Sequence, residues 1–544
     1  MLRINQIRLR PGEGTDLIGS RIARMLKEDP SEIGDVKIIK ESIDARNKKD
    51  VRFVYTADFS VKNEKRILKK AEKLRLNVKA SPKDFYRPPR SGYEGTANYE
   101  GRRPVVIGSG PCGMFAGLLL AEAGLKPLIL EKGKKVEERS ADVERFWESG
   151  ELDPRSNVQF GEGGAGTFSD GKLTTGINDP RIAKVNEEFV EAGASESIQY
   201  RHMPHIGTDV LRKVVRNIRE KIESLGGSYL FGTEVTGLRT ENGRLTGLEL
   251  EKGEILDCRH VVLAIGNSAR NTFEMLYENG VELVPKPFSA GVRIEHPQEL
   301  IDYSQYGETN DSEGRLSAAA YKLSCHCRET GRGVYTFCMC PGGYVIGAAS
   351  EKEGEVTNGM SRFARDGENA NSALLVSVSP EDCFRETGSE HPLAGMEFQR
   401  KLERAAFELG GGDYSAPVET VGHFLGRPDT EASVTPTYRP GVKWTEIRKC
   451  LPSFITDAMA EALPQLARKL KGFDLDGAVL TAVETRSSSP VRITRDEGMQ
   501  SVSLKGLYPC GEGAGYAGGI MSSAVDGLKA AEEIIRDLSG SSLP

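Results

Sequence analysis

The chain has 544 residues, of which 38% are hydrophobic and 28% charged. That is an ordinary soluble composition and a length for several domains rather than one. The net charge of -6 neither demands nor excludes a polyanionic partner, and nine cysteines, an odd number in a long chain, do not make a disulfide framework. A reducing cytoplasm is therefore expected. The N-terminus, MLRINQIRLRPGEG, is basic but lacks the apolar core of a signal peptide.

The charge is unevenly spread. The first hundred or so residues carry about +10 and the remainder about -16. A basic module on an acidic body suits nucleic acid or an acidic partner; a solvated face on a small domain explains the same charge. Within this module RINQIRL reads as a strand, and DLIGSRIARMLKED sets Leu17, Ile18, Ile22, Met25 and Leu26 on one helical stripe. Two strand-like runs follow, EIGDVKIIKESIDAR and DVRFVYTADFSV, then a second helix, NEKRILKKAEKLRL, with Asn63 as its cap. With a last strand at NVKAS the order predicts a small ferredoxin-like α+β module over residues 1–80. Residues 81–102, rich in Pro, Gly, Tyr and charge, read as a linker or wrapping arm.

Next comes VVIGSGPCGMFAGLLLAEAGLKPLILEKG, residues 105–133. Its uncharged part is barely long enough to span a bilayer, and its glycines crowd at the start, so no membrane span is expected. PVVIG suits a buried parallel strand, CGMFAGLLLAEAG a helix and KPLILEKG a second strand. Gly108, Gly110 and Gly113 thus form G-x-G-x-x-G at a strand-to-helix turn, with Pro111 opening the helix. The first glycine permits the tight turn, the second lets backbone approach a pyrophosphate, and the third lets helix and strand pack closely. Glu131, 18 residues beyond Gly113 and followed by Lys132, stands where a carboxylate takes ribose hydroxyls. The expectation is a dinucleotide site.

Downstream, TDVLRKVVRNIREKIESLGG is an amphipathic helix stopped by a glycine pair. The run from SYLFG to VVLAIG reads as short strands with an Asn-Gly turn. Residues 271–470 mix strands and helices without a repeat, and from GAVLTAVET the chain is strand-like again. LYPCGEGAGYAGGIMSSAVDGL closes the chain as strand, glycine turn and helix. There is no second G-x-G-x-x-G between strand and helix, because GEGGAG at 161–166 lacks a convincing strand before it.

The first motif, VVLAIGNSAR and LYPCGEGAG together resemble the FAD-binding domain of the glutathione-reductase-like two-dinucleotide-binding flavoproteins. The resemblance implies FAD, with Gly511 and Glu512 at the ribitol and Gly519, Ile520 and Met521 near the ring. It implies Val235 at the adenine, with Ala264 and Gly266 in the cofactor loop. That family usually has Asp where this chain has Glu512. SIDARNKKDVRFVY, NVQFGEGGAGTFSDGKLTT, PHIGTD, FCMCPGG and ETRSSSPVRITRD narrow the likeness to a bacterial family of FAD-dependent dehydrogenases of largely unassigned substrate. The fold class expected is α/β. A Rossmann-like FAD-binding domain is assembled from discontinuous segments, 103–270 and 471–544. Residues 271–470 form an inserted mixed α+β substrate domain, and the ferredoxin-like module precedes them all.

Candidates for chemistry are fewer. The loop at 160–175 holds five glycines, and Gly163, Gly164 and Thr167 are expected against the cofactor. Lys172 is expected to stabilise negative charge on the reduced flavin. Cys325-x-Cys327 and Cys338-x-Cys340 flank RETGRG, a hairpin turn. Packing residues, flavin-linked redox thiols at Cys338 and Cys340, or four metal thiolates all fit that pattern. One intervening residue per pair argues against metal, and none is assigned. His205 is a candidate base or a helix-entry residue. Arg486, Ser487, Ser488 and Ser489 either bind a carboxylate or cap a turn. The leading function is an FAD-dependent oxidoreductase of a small molecule, with NADH or NADPH as a transient donor. An RNA-directed flavoenzyme and a flavin-loaded redox sensor without catalysis are the alternatives.

Overall fold

The computed structural model describes residues 1–82, 86–89, 103–308, 316–428 and 430–539. Most of the linker expected at 81–102 lies outside the described residues.

The N-terminal strands Leu2–Leu9, Val36–Asp44, Arg52–Phe59 and Val78–Ala80 form an antiparallel sheet. Leu2–Leu9 and Arg52–Phe59 lie in its middle. Helices Ile18–Leu26 and Glu64–Lys73 cover one face. The apolar residues of the first strand, Leu2, Ile4, Ile7 and Leu9, break strict alternation, yet all four are fully buried. A bulge between Ile4 and Ile7, with Gln6 at φ +64°, restores the phase. Asn63 caps its helix, accepting from the Arg66 amide at 3.0 Å. The outer strand docks on the rest of the chain. The Glu41 amide donates to the Tyr200 carbonyl at 2.7 Å, and Lys48 Nζ to the Ser304 carbonyl at 2.7 Å.

A five-stranded parallel sheet follows, in the order Leu507–Pro509, Val261–Leu263, Val105–Ile107, Leu128–Leu130, Ser228–Leu230. Helix Pro111–Glu122 is buried along ten consecutive residues, Cys112 to Ala121. It packs between the sheet and helices Thr208–Ser224 and Ile520–Ser539. A helix enclosed on all sides has no polar face, which is why its sequence is apolar throughout. Among the described residues no helix is long and apolar enough to cross a membrane. Beyond the sheet, Val235–Glu241, Arg244–Leu250 and Ile255–Asp257 form an antiparallel meander. Its first turn uses Asn242 and Gly243, both left-handed, as a two-residue hairpin requires.

A seven-stranded sheet fills the long middle region. Its order is Ser324–His326, Gly333–Cys340, Asn369–Val378, Phe288–Pro297, Val479–Glu484, Ser415–Thr420, Gly441–Trp444. The strand Val479–Glu484, placed by the sequence in the last cofactor segment, belongs here, paired with Phe288–Pro297 and Ser415–Thr420. The boundary at 470 therefore does not coincide with the change of sheet, which comes between 484 and Leu507. An apolar run buried on both faces does not reveal which of two sheets it will join.

A buried ion network ties the two sheets. Arg270, at the start of helix Arg270–Glu278, gives two 2.8 Å bonds to Glu403 on helix Ala394–Gly410. Arg486 gives Glu403 two more, at 2.9 and 2.8 Å, and Thr485 Oγ1 a fifth at 2.7 Å. Burial opposes the Glu403 charge, but Arg270 and Arg486 outweigh it and hold the carboxyl far below its usual range. Its contribution to stability is complete above the unfolded-chain value of about 4.3 and lost as pH falls toward the depressed value. Glu403→Gln leaves two buried guanidiniums facing a neutral amide and is expected to cost about 3–5 kcal/mol. Urea unfolding followed at pH 7 and at pH 4 checks this. The variant should unfold at lower urea than the parent at pH 7, with a smaller gap at pH 4.

Candidate functional site

The strand Val105–Ile107 ends on Gly108, whose φ is +96°. A Cβ there would strike the Ala264 carbonyl, and one at Gly113 would strike the Gly108 carbonyl. These two glycines are fixed by protein packing. Gly110 is different. Its φ is -69°, which any residue adopts, and an added Cβ would meet nothing nearer than Gly164 Cα at 3.7 Å. Neither conformation nor packing asks for glycine at 110. The backbone at 110 is open, and the helix that opens at Pro111 begins there, its first amides without intrahelical partners.

Glu131 follows strand Leu128–Leu130 and is buried. Its Oε2 accepts from the Ser109 amide at 2.9 Å and from Ser109 Oγ at 2.7 Å. Its Oε1 accepts from the amides of Gly133 at 2.9 Å and Gly161 at 3.0 Å. The carboxylate thus stands beside the first glycine turn and fastens a second glycine loop to it. In that loop the Gly163 amide donates to the Ser109 carbonyl at 2.9 Å, and Gly164, with φ +61°, lies against Gly110. Thr167 is buried, and its carbonyl accepts from Thr208 Oγ1 at 2.9 Å. Lys132 turns to Glu234 at 3.0 Å, over the Phe160 ring. Val235 is buried at the start of the meander. Gly266, at φ +68°, faces Gly513, where a Cβ would strike the Gly266 carbonyl.

On the far side, the Gly511 amide donates to Asp526 at 2.8 Å, and Asp526 is held by Arg495 at 2.8 and 2.9 Å. Glu512 accepts from Asn267 Nδ2 at 2.9 Å. Burial pushes its carboxyl up to about 7, against the opposing pull of Lys286. The carboxylate expected at the ribitol is therefore engaged by Asn267. Gly519 precedes helix Ile520–Ser539, and Ile520 packs over Gly166, with Met521 buried behind it. One glycine loop thus touches both helix starts.

Sequence reading missed what shapes that loop. Arg139, fully buried, donates to the carbonyls of Asn157 at 2.8 Å, Val158 at 2.9 Å, Gly161 at 3.3 Å and Glu162 at 2.6 Å. Burial lowers its guanidinium to about 10. A signal existed: Arg139 shares a helical stripe with Val136, Val143 and Phe146, so a charge sits on the apolar face. Glu162 accepts from the Val136 amide and from Arg219 Nε, each at 2.8 Å.

Lys172 reaches across to the seven-stranded sheet. Its Nζ bonds the Met339 carbonyl and lies 4.0 Å from Cys340 Sγ and 3.4 Å from Asp170. Burial works against the Asp170 charge, but Lys172 and Arg365 hold the carboxyl down at about 2. His205 is buried, stacks on Phe363, and has Nε2 3.0 Å from the Phe363 carbonyl. Burial and Arg365 lower it to about 4, so it is neutral and engaged by backbone. Arg486 is consumed by Glu403, Ser487 Oγ bonds the Ser289 carbonyl and Ser489 Oγ the Val491 carbonyl. Those three side chains are used structurally.

All nine cysteines are free thiols. The hairpin register sets Cys325 opposite Val334, so the two Cys-x-Cys pairs sit at opposite ends of the hairpin. Among the described residues no cluster suits a metal. Cys327 donates to the Ala458 carbonyl at 3.4 Å. Cys338 lies at a bulge with φ +41° and is exposed. It is open to solvent yet crowded by protein, and that burial pushes its thiol up to about 12 against Lys172 and Arg293. Cys340 is buried, 3.9 Å from Arg293 Nη1.

Residues 287–487 match a family model described as "FAD-dependent protein, C-terminal domain-like", and residues 1–60 match a domain of unknown function. A protein of Clostridium beijerinckii, described as uncharacterized, is 46% identical over 536 residues, covering 98% of each chain. Among solved structures, a flavin-dependent brominase covers 81% of this chain and 80% of its own at 13% identity and TM-score 0.36. Glycine oxidase from Bacillus cereus covers 81% and 96% at 12% identity and TM-score 0.31. A flavoprotein/dehydrogenase from Cytophaga hutchinsonii covers 81% and 80% at 13% identity and TM-score 0.35.

The cofactor is FAD, and the backbone at Gly110, where an added Cβ meets nothing nearer than 3.7 Å, leaves room for a pyrophosphate to approach. Gly110→Val is expected to abolish FAD loading while leaving the apoprotein's melting temperature nearly unchanged. Gly113→Ala should instead lower the apoprotein's melting temperature, because the collision is with backbone. Absorbance at the flavin band and thermal denaturation of both variants separate the two roles.

Proposed function

Because the chain belongs to one family with its Clostridium beijerinckii relative, and a model of FAD-dependent proteins matches its middle region, we propose that it is an FAD-dependent oxidoreductase. It moves hydride to or from a small molecule through a flavin held without a covalent link. The observation that carries this reading is Gly110, a glycine required by neither its own backbone nor its neighbours, beside a buried Glu131. The reading also takes the chain as a cytoplasmic enzyme, with NADH or NADPH as a transient electron donor.

When bound, FAD supplies two-electron chemistry. The chain's own groups bind and orient it. The amides after Gly110 would face the pyrophosphate and the turn at Gly511 would receive the ribitol end, while Glu131, its oxygens held by Ser109, Gly133 and Gly161, would fix the two glycine loops beside the adenosine ribose. Arg139 keeps the loop at 157–162 rigid, so that Gly163 and Gly164 border the cofactor. Lys172 brings a positive charge to the junction between that loop and strand Gly333–Cys340. His205 is neutral and has Nε2 at the Phe363 carbonyl, which orients its ring.

Denaturing the purified protein is expected to release FAD, identified by mass, and anaerobic titration with NADH and NADPH should bleach the flavin with one of them. Recovery of FMN, or of NAD alone, from a loaded sample overturns the reading. Residues 1–80 lie upstream of every FAD contact. A chain of residues 95–544 is expected to keep its FAD while melting at lower temperature, since the surfaces at Tyr200 and Ser304 lose their cover. Loss of FAD without loss of fold would instead put the module in the site.

A further inference from the structure

Helix Glu64–Lys73 sorts its cations into two sets. Residues 62–79 hold eight Lys and Arg against two acids, Glu64 and Glu72. Arg66 and Lys70 are paired with Glu28, to which Arg66 gives two 3.0 Å bonds. Glu64 is taken by the N-terminal amine at 2.6 Å. Lys65, Lys69 and Lys73 stand four residues apart, on the side of the helix away from the buried Ile67 and Ala71, and all three are exposed. Lys62 before the helix and Arg75 and Lys79 after it are exposed as well. Among the described residues none of these six has an ion-pair partner. Glu72 is the acid beside the row and balances at most one of its charges. Like charges four residues apart destabilise a helix, so the row costs the fold something that a polyanion outside it offsets. The face is open to such a partner. The module's hydrogen bonds to the body come from Glu41 and Lys48, on the outer strand and the turn after it. The bonds of this helix go to Met1, Lys27 and Glu28, inside the module.

We propose that the lysine face of helix Glu64–Lys73 docks the phosphate backbone of double-stranded RNA without reading its sequence. At 1.5 Å per residue the row from Lys65 to Lys73 is about 12 Å long, enough to pass about three or four phosphates of one strand of a duplex. The chemistry of the face selects among polyanions. A helix that lies on a membrane sets large apolar side chains into the headgroup layer. The module's exposed large apolar residues are Met1, Leu17 and Val36, none of them on this helix. Single strands are held by aromatic side chains on which bases stack, and the helix has none. The wide major groove of B-DNA rewards side chains that reach base edges. An A-form duplex closes its major groove to side chains and is recognised by shape and phosphate, for which lysine is a point charge. The rest of the chain carries the acidic balance, so the attraction comes from the module. The docking does not use the flavin and stands apart from the function proposed above.

The test uses the full FAD-loaded chain and a fluorescein-labelled RNA duplex of about 16 base pairs, read by anisotropy between about 50 and 200 mM potassium chloride. The expected result is binding whose log K falls with log salt at a slope of about -3, as three or four phosphate contacts require. Two duplexes of unrelated sequence should bind alike. Lys65→Gln, Lys69→Gln and Lys73→Gln combined should weaken binding about tenfold or more and flatten the slope by about one for each lysine removed. The same variant should keep its FAD content and melting temperature, because the three side chains are exposed. A control that removes the same charge from exposed positions on the body, Lys252→Gln, Lys352→Gln and Arg404→Gln, should bind as the parent does. Absence of binding at the lowest salt overturns the proposal, and so does equal weakening by the two triple variants. Equal or tighter binding to a DNA duplex of the same sequence, or to vesicles of phosphatidylserine and phosphatidylcholine, overturns RNA as the partner.

Discussion

The Glu131 carboxylate is the point on which the half of the molecule built on the parallel sheet turns. Three stretches of backbone converge on it: the first glycine turn through Ser109, its own strand end through Gly133, and the second glycine loop through Gly161. A buried carboxylate is costly unless its lone pairs are taken, so these amides and the charge hold one another in place. The geometry of the cradle follows from that exchange. Gly163 is bonded to Ser109, Gly164 abuts Gly110, and Gly166 carries Ile520 from the last helix.

Two buried arginines extend this order outward. Arg139 gathers four carbonyls of the loop at 157–162, leaving few ways for that loop to relax. Arg270 leaves the cofactor loop after Gly266 and meets Glu403 in the inserted region, where Arg486 closes the network. The cofactor sheet and the seven-stranded sheet are thereby joined through charge in a low-dielectric interior, where removing one member is far costlier than exposing it. Lys172 makes a lighter contact between the same two parts, at Met339 and Cys340.

Residue type alone does not say how a side chain is engaged. His205 and Arg486 have the side chains of a base and an anion clamp. One is bound to a carbonyl beneath Phe363, and the other is spent on a glutamate. Cys338 looks like one of four equivalent cysteines in the sequence, yet a bulge makes it the exposed one.

The sequence by itself determined the local elements and the first glycine turn. The spacing of Gly108, Gly110, Gly113 and Glu131 follows from strand, turn and helix, whose periods are short-range properties of the chain. The same holds for the N-terminal strands and helices, each with its own apolar rhythm, down to the Asn63 cap. The bulge at Gln6 was foreshadowed by the broken alternation of Leu2, Ile4, Ile7 and Leu9. Only the tertiary structure decided which sheet Val479–Glu484 would join, because a strand buried on both faces has no pattern that names its neighbours. It also decided the partners of Glu512, Arg139, Arg486 and Cys340, each met across at least 18 residues of chain except where a bulge or a turn brings backbone close. Side-chain pairing at such distances is set by how the layers stack, and no periodicity in a single sequence encodes it.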